Sequence, residues 1–574
     1  MAAFRTGTRI RCSLFLLVPL VLLSCESSPS PVTLPGPGPW TGSPLVATRF
    51  GVVQAREDAD NTWAWKAIPF ARAPTGQLRW SAPQDPIPWT GVRREGSFNA
   101  GCTQFSEIFP GMINGSEDCL YLNIWRPRDG ETGLPVYVWI HGGGNSVGSA
   151  THIAAYYGDR IASRSRVVFV SINYRLGPFG WFTLPAFRDG ASAEDASGNF
   201  GTLDIIQSLK WIRQNIESFG GDPNLVTVTG ESAGGFNVLS LLISPPARGL
   251  FQHAMSQSGA ALTRGVDEAD ARAQDVLERL LLDDRRARTR EEAAAYAAGM
   301  SPADTRAYLR SKSDRQILSK YRVSGLGMIE NPAILRDGAV IPEQGFEALR
   351  TGGYPNKVPV IVGSNADELT LFLRFGSHIP WQSDFYRAAS RYGTARWRVS
   401  AVDEVARRLV MHADQPPVYA YQFRWGTLDA EGRSPLPNKW GDELGAFHSL
   451  DIPFFLGNDT VAGVFQVVLF SWQNEPGRKA LSAAMMKYLA RFARTGNPND
   501  PAADLPAWEA WSPVPGGPKY IVFDVKADVP AIGMASEELT DQEVMAAASA
   551  DLPEPVRTRT LEYLEHSTLP SGVR

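Results

Sequence analysis

The chain has 574 residues, of which 44% are hydrophobic and 20% are charged, and its formal net charge at pH 7 is -4. This is the composition of a globular protein with enough apolar material for a large core. The mildly acidic balance excludes the basic footprint of a nucleic-acid-binding protein, so no nucleic-acid partner is predicted. Length alone leaves the number of domains open, because large single α/β enzymes also reach this size.

Residues 1–24 have the pattern of an export signal. Basic residues at positions 5, 9 and 11 precede an apolar stretch at 14–23, which is shorter than the roughly 20 apolar residues of a permanent membrane helix. The stretch ends in Leu22-Leu23-Ser24-Cys25, which resembles the bacterial lipobox, where the cysteine is lipidated. We therefore predict an exported cell-envelope lipoprotein that meets the membrane only through lipid on Cys25. The alternative is an ordinary signal peptide with an incidental Cys25, and a periplasmic or secreted protein.

Composition divides the rest of the chain into three segments. Residues 25–45 are dominated by Ser, Pro and Gly, which do not bury a core, and they predict an extended linker. Residues 46–565 are predicted to form one large domain, and residues 566–574 a short C-terminal tail.

Within the large domain, apolar runs typical of strands alternate with stretches of helical periodicity. The alternation predicts an α/β protein with a mostly parallel central sheet covered by helices on both faces. The predicted strands are 134–140, 166–172, 225–229, 358–362 and 418–425, and the predicted helices are 203–218, several within 267–313, and 476–494.

The sequence Gly230-Glu231-Ser232-Ala233-Gly234-Gly235 directly follows a predicted strand. It has the pattern G-x-S-x-G, in which a sharp strand-to-helix turn carries a serine nucleophile and glycines avoid a backbone clash. An isolated match is also compatible with an ordinary Gly-rich turn. A nucleophilic serine needs an imidazole base and a carboxylate that orients the imidazole. Since five histidines follow Ser232, chain order alone leaves the base open.

The segment His141-Gly142-Gly143-Gly144 follows the predicted strand 134–140. It matches the HGGG type of oxyanion loop, because residues without side chains let backbone N–H groups point at a developing alkoxide. The alternative is a Gly-rich hairpin.

Metal and redox chemistry receive no support from the sequence. The chain has no CxxC pair and no HExxH helix, and its seven histidines show no metal-ligand spacing, so no cofactor or metal is predicted. Outside the export region the cysteines are Cys102 and Cys119. In an exported protein, one such pair is well placed to form a disulfide.

Seven ordered motifs between about residues 48 and 511 resemble the type-B carboxylesterase family, which includes the cholinesterases. They contain Trp65-Lys66-Ala67-Ile68-Pro69-Phe70, Ser116-Glu117-Asp118-Cys119-Leu120-Tyr121-Leu122-Asn123, Asn173-Tyr174-Arg175-Leu176-Gly177, Phe219-Gly220-Gly221-Asp222-Pro223, the serine motif, Asn365-Ala366-Asp367-Glu368 and Gly445-Ala446-Phe447-His448-Ser449.

The resemblance implies an α/β-hydrolase fold with helical insertions after the nucleophile. It implies a serine carboxylic-ester hydrolase that acts on a small-molecule ester without a cofactor. By motif, the nucleophile, acid and base are Ser232, Glu368 and His448, and the oxyanion donors are the amides of Gly143, Gly144 and Ala233. The resemblance also assigns supporting roles to Glu231 and Ser258, a disulfide to Cys102 and Cys119, and a structural ion pair to Arg79 and Glu117.

Departures from the family pattern bear on the substrate. No tryptophan lies between Cys102 and Cys119, and Leu371 stands three positions after Glu368; both argue against a choline ester. Asn145 follows the oxyanion glycines where Phe or Tyr is common in the family. Its amide would make the acyl side of the pocket more polar, or would simply cap a local turn, and we predict that Asn145 and Phe447 line the substrate pocket. The alternatives are a lipase for longer-chain glycerides and a non-catalytic cholinesterase-like binding module. The oligomeric state stays open.

Overall fold

The structure is a computed structural model that describes residues 36–107, 109, 111–151, 153–437, 439–460 and 469–566. The predicted signal peptide, the predicted lipidation site Cys25 and residues 567–574 of the predicted tail lie outside the described residues.

An 11-stranded sheet forms the centre of the molecule. The described strands are β1 Leu45–Ala47, β2 Val52–Gln54, β3 Arg56–Asp58, β4 Thr62–Pro69, β5 Val92–Arg93, β6 Gln104–Phe105, β7 Ile113–Asn114, β8 Tyr121–Pro127, β9 Leu134–Ile140, β10 Val168–Ile172, β11 Gly221–Glu231, β12 His253–Gln257, β13 Arg264–Gly265, β14 Leu335–Arg336, β15 Val360–Asn365, β16 Val418–Phe423, β17 Tyr520–Lys526 and β18 Val529–Ala535. The strand order of the large sheet is β18-β17-β16-β15-β12-β11-β9-β10-β8-β4-β3. The seven strands from β10 to β17 in this order run parallel, and the strands outside them pair antiparallel.

Central strands of the sheet are buried on both faces. Along β9, Val136, Val138 and Ile140 enter one hydrophobic cluster, whereas Tyr137 and Trp139 enter a second cluster. Successive side chains of a strand point to opposite faces of the sheet, so each cluster is the core of one face. The absence of polar residues from β9 follows from this double burial.

Helices cover both faces of the sheet. Phe200–Asn215 and Ala233–Ile243 contribute buried residues to the first cluster, and Asp159–Ser165 and Glu475–Thr495 contribute to the second. The other described α-helices are Gly177–Gly180, Pro185–Arg188, Ala193–Ala196, Val266–Asp283, Arg290–Ala298, Pro302–Arg310, Asp314–Leu318, Glu347–Thr351, Glu368–Gly376, Asp384–Arg398, Glu404–Val410, Trp440–Glu443, Ile452–Leu456, Asp541–Asp551 and Val556–His566. Within the described ranges, no helix combines the length and the apolar character needed to cross a membrane.

The predicted architecture, a mostly parallel sheet with helices on both faces, is confirmed. Strand β9 has the predicted bounds, and the predicted helix 203–218 is Phe200–Asn215 followed by the 3-10 turn Ile216–Phe219. The strand before the serine is longer than predicted because Gly221 already pairs with Leu134. Several helices follow the serine and precede β15, as the family resemblance implies.

The end of the predicted linker 25–45 differs from the prediction. Trp40 is buried, and its ring meets Trp65 edge-on with ring centroids 5.7 Å apart. The guanidinium of Arg126 lies 4.3 Å from the Trp40 ring, and Trp40 Nε1 donates to the carbonyl of Asp129 at 3.3 Å. A large aromatic side chain gains enough by burial to order a segment that is otherwise rich in Pro and Gly.

Candidate active site

Ser232 occupies the sharp corner between β11 and the helix Ala233–Ile243. Its backbone angles are φ 56° and ψ -124°, a conformation that L-residues rarely adopt. The amide of Ser232 donates to the carbonyl of Gln257 at 2.9 Å, which holds the corner against β12. A Cβ on Gly230 would lie 2.6 Å from the backbone of Gly234, so the corner requires glycine there.

Glu368 begins the helix that follows β15, at the carboxyl end of the parallel strands where α/β sites gather. Its side chain is fully buried. Oε1 accepts hydrogen bonds from the Ser258 hydroxyl at 2.6 Å and from the backbone N–H of Asn365 at 2.7 Å. These two donors leave Oε2 free to accept from Nδ1 of His448 at 2.5 Å.

His448 lies in the loop after β16 and is buried. Its ring packs against Phe372 and Trp397, with ring centroids 4.9 and 4.8 Å away. Since Nδ1 faces a carboxylate, Nδ1 keeps its proton when the ring is neutral, and Nε2 is then the basic nitrogen. Nε2 lies 3.1 Å from Oε1 of Glu231 and has no hydrogen-bond partner among the described residues. A proton transfer from Ser232 therefore requires a hydrogen bond between Oγ of Ser232 and Nε2 of His448, which is not among the hydrogen bonds of the described residues.

Three buried carboxyl groups surround this imidazole. Burial raises the pKa of Glu231 to about 7, although the attraction of His448 acts in the opposite direction. Burial also raises the pKa of Asp451. Burial alone would lower the pKa of His448, but the carboxylates of Glu231 and Glu368 outweigh it and raise that pKa to about 9.

The predicted oxyanion glycines lie beside the serine corner. A Cβ on Gly142 would lie 3.0 Å from the Cβ of Ser232, so the loop passes directly over Ser232. Gly143 and Gly144 have φ angles of 103° and 62°, which favour glycine. Ala233 is the first residue of its helix, where the backbone N–H has no partner within the helix and the dipole favours negative charge.

The two predicted pocket residues have contacts inside the protein. Asn145 is buried, and Oδ1 of its side chain accepts from Nδ2 of Asn237 at 2.9 Å, beneath the oxyanion loop. Phe447 belongs to the second hydrophobic cluster, and its carbonyl accepts from Nδ2 of Asn365 at 2.7 Å. Both positions are adjacent to residues of the candidate site in sequence, and these contacts are directed into the protein.

The structure also brings together residues that sequence reasoning missed. Asp451 accepts from the Tyr421 hydroxyl at 2.6 Å and from Nε2 of Gln257 at 3.1 Å. The sulfur of Met328 lies 2.7 Å from the position that a Cβ on Gly144 would take. Asp451 stands three residues after His448, and this closeness in sequence to the predicted base could have identified it. No local pattern marks Met328, because its contact joins distant parts of the chain.

The predicted structural pairs outside the site are present. Cys102 and Cys119 form a disulfide with Cα atoms 5.0 Å apart, and Arg79 Nε donates to Oε1 of Glu117 at 2.6 Å.

The sheet architecture, with a serine at the strand-to-helix corner, is that of an α/β hydrolase. A family model described as "Carboxylesterase family" matches residues 42–389 and 382–531. The chain belongs to the carboxylesterase family, and it is a carboxylic ester hydrolase.

Relatives from bacteria and animals support this assignment. The chain is 31% identical to a para-nitrobenzyl esterase of Bacillus subtilis over 489 residues, covering 81% of this chain and 92% of the relative. It is 31% identical to carboxylesterase 1D of Rattus norvegicus, covering 83% and 87%. Among solved structures, a PNB esterase superposes with a TM-score of 0.66 at 26% identity, covering 88% of this chain and 100% of the other. Geobacillus stearothermophilus carboxylesterase EST55 superposes with a TM-score of 0.67 at 29% identity, covering 88% and 99%.

Proposed function

We propose that Ser232, His448 and Glu368 form a catalytic triad that hydrolyses esters through an acyl-enzyme. The observation that carries the proposal is the 2.5 Å hydrogen bond from His448 Nδ1 to a carboxylate whose other oxygen has two donors of its own. This bond fixes the tautomer with a basic Nε2 and stabilises the imidazolium that forms during the reaction.

In the first half of the reaction, Nε2 of His448 takes the hydroxyl proton of Ser232, and Oγ attacks the ester carbonyl. The C–O bond to the alcohol then breaks, and the alcohol leaves with the proton from His448. In the second half, His448 takes a proton from water, the hydroxide attacks the acyl-enzyme, and Ser232 recovers its proton as the acid departs. Glu368 stays ionised throughout.

The negative charge of each tetrahedral intermediate falls on the former carbonyl oxygen. We propose that the amides of Gly143, Gly144 and Ala233 donate to that oxygen. Loss of one such donor in a related chemistry costs about 3–4 kcal/mol of barrier, so this loop matters as much as the triad. The position of Gly142 against the Cβ of Ser232 supports the assignment.

The substrate proposed is a small-molecule ester. A relative named para-nitrobenzyl esterase and others named pyrethroid hydrolases favour an ester with an aromatic alcohol. A lipase for long-chain glycerides would instead show activation on emulsified triglyceride. A non-catalytic binding module would lack turnover altogether.

The test combines turnover with active-site labelling on the full chain. We expect p-nitrophenyl esters of graded acyl length to be hydrolysed and a fluorophosphonate probe to label one serine. Ser232→Ala should abolish labelling and lower kcat by roughly 10⁶-fold, as for the nucleophile of other serine hydrolases. A melting temperature within a few degrees of the unaltered chain serves as the folding control. Labelling or turnover that survives in Ser232→Ala would overturn the mechanism.

Export and lipidation at Cys25 also remain proposals, and the residues before position 26 alone support them. Incorporation of a labelled fatty acid in a bacterial host, and its loss in Cys25→Ser, would test them independently of esterase activity.

A further inference from the structure

The loop from His141 to Asn145 has a feature that the proposed mechanism does not use. Each of its five backbone carbonyls accepts a hydrogen bond. The donors are Tyr174 OH to His141 O (2.8 Å), His141 Nδ1 to Gly142 O (2.8 Å), the Ser146 and Val147 amides to Gly143 O (3.0 Å each), Ser146 Oγ to Gly144 O (2.9 Å), and the Gly177 amide to Asn145 O (2.7 Å).

These bonds determine where the loop amides point. A peptide group is planar and trans, so the carbonyl of one residue and the N–H of the next lie in one plane and point in opposite directions. The bond to the Gly142 carbonyl therefore fixes the N–H of Gly143, and the bonds to the Gly143 carbonyl fix the N–H of Gly144. The directions of the two proposed oxyanion donors are thus set by hydrogen bonds on the opposite side of each peptide group.

A buried polar cluster joins this loop to the helix that carries the third donor. Nδ2 of Asn237 donates to Oδ1 of Asn145 at 2.9 Å, and the Tyr174 hydroxyl, 3.2 Å from the same oxygen, shares its single proton between that atom and the His141 carbonyl. The ring of Tyr174 also stacks on the imidazole of His141, with centroids 4.5 Å apart. The cluster is buried, so its hydrogen bonds compete little with water.

Asn237 is the member that connects the two halves of the site. It lies on the helix Ala233–Ile243, whose first amide is the proposed donor of Ala233, while Asn145 directly follows the glycines. The hydrogen bond between Asn237 and Asn145 therefore connects the loop that contains two of the proposed oxyanion donors to the helix that contains the third. The position of an oxyanion donor matters because donors act only at about 2.7–3.1 Å from the charged oxygen.

We propose that Asn145 and Asn237 are positioning residues for the oxyanion hole, a role distinct from pocket polarity. Their amide–amide hydrogen bond holds the loop of Gly143 and Gly144 in register with the helix of Ala233. Neither side chain contacts the reacting atoms. The inference rests on the proposed function of Ser232 and the three donors.

The experiment measures affinity for a trifluoromethyl ketone, to which Ser232 adds to form a stable hemiketal oxyanion. In Asn237→Leu, which keeps a similar volume, we expect kcat to fall roughly 10- to 100-fold. The affinity for the ketone should fall by a similar factor, while KM for a p-nitrophenyl ester stays within about twofold. Asn145→Ala should reproduce these changes, and the double variant should lose little more than either single variant.

Ser240→Ala provides the matched control. It removes a buried hydrogen bond on the same helix, from Ser240 Oγ to the Asn237 carbonyl at 2.7 Å, without altering the contact to Asn145. We expect it to lower the melting temperature but to leave the affinity for the ketone unchanged.

If both asparagine variants fold and bind the ketone as tightly as the unaltered chain, the inference is wrong. Additive losses in the double variant would also overturn it. Fluorophosphonate labelling of the unaltered chain separates this outcome from a failure of the proposed mechanism, because only the latter removes labelling.

Discussion

Two clusters of buried charge in this molecule differ in how their charges balance. Arg175 and Asp204 form a matched pair, in which the guanidinium donates to both carboxylate oxygens at 2.8 and 2.7 Å and the Arg175 amide adds a third bond at 3.0 Å. Around His448, by contrast, Glu231, Glu368 and Asp451 place three carboxyl groups near one imidazole.

We expect the matched pair to contribute to folding stability, whereas the unbalanced cluster lies at the candidate catalytic residues. In the matched pair burial raises the pKa of Asp204, but the guanidinium and the amide of Arg175 oppose this, and we expect the pair to act through folding. In the unbalanced cluster burial raises the pKa of Glu231 to about 7, and the carboxylates of Glu231 and Glu368 raise that of His448 to about 9 against the effect of burial. Several carboxyl groups around one imidazole are therefore a better guide to the reactive part of this protein than a paired charge.

Within the comparison of these two clusters, the largest effect should follow from a change of the proposed acid, Glu368. In Glu368→Gln, an amide N–H can face Nδ1 of His448 and favour the wrong tautomer, so we expect kcat to fall roughly 10⁴-fold. Steady-state kinetics on a p-nitrophenyl ester measure this, with denaturant unfolding alongside. Ser258→Ala removes one donor to Glu368 and should cost far less. A loss below tenfold in Glu368→Gln would contradict the role of Glu368.

A loss of stability without a change of chemistry should follow from breaking the matched pair. Asp204→Ala leaves the Arg175 guanidinium buried and unpaired, so we expect the free energy of unfolding to fall by about 3–5 kcal/mol. Urea unfolding measures this, and the pH dependence of kcat in the folded fraction should stay the same.

The double variant Arg175→Met with Asp204→Leu tests whether the charge itself is the cause. Replacement of both partners by apolar side chains should recover part of the lost stability. If it unfolds as readily as Asp204→Ala, lost packing explains the effect and the uncompensated charge does not.

The smallest effect should be a shift of the pH profile. His448 acts as a base only when neutral, so kcat/KM rises as the pH increases through its raised pKa. In Glu231→Gln one of the carboxylates that raise this pKa is replaced by a neutral amide, and the acidic limb should move to lower pH by about one unit. Glu117→Gln makes the same chemical change at the Arg79 pair and should leave the limb in place. A limb that stays, or moves to higher pH, in Glu231→Gln would show that Glu231 does not act on His448.

Much of the fold could be predicted from sequence because its causes are local. A strand such as β9 is apolar on both faces, and its burial on both faces gives it the predicted bounds. The burial of Trp40 was not predictable in this way, because composition describes a segment on average and one aromatic contact with Trp65 outweighs it.

The candidate site was likewise predictable from sequence only where its causes are local. The serine corner can be recognised in the sequence because a strand pattern, the glycines around the serine and the start of a helix all fall within ten residues. The base is not, since five histidines follow Ser232 and only a family motif singles out His448. Asn145 is adjacent to the glycines, yet its side chain meets Asn237, a residue 92 positions away.

The sequence by itself determined the α/β architecture, the serine corner and the glycine loop, because these follow from the spacing of apolar residues and from backbone sterics. Only the tertiary structure decided which carboxylates surround His448, and that Asn145 supports the loop from beneath it. The physical reason is that pKa values and hydrogen-bond partners depend on atoms within a few ångströms, and those atoms come from segments far apart in the chain.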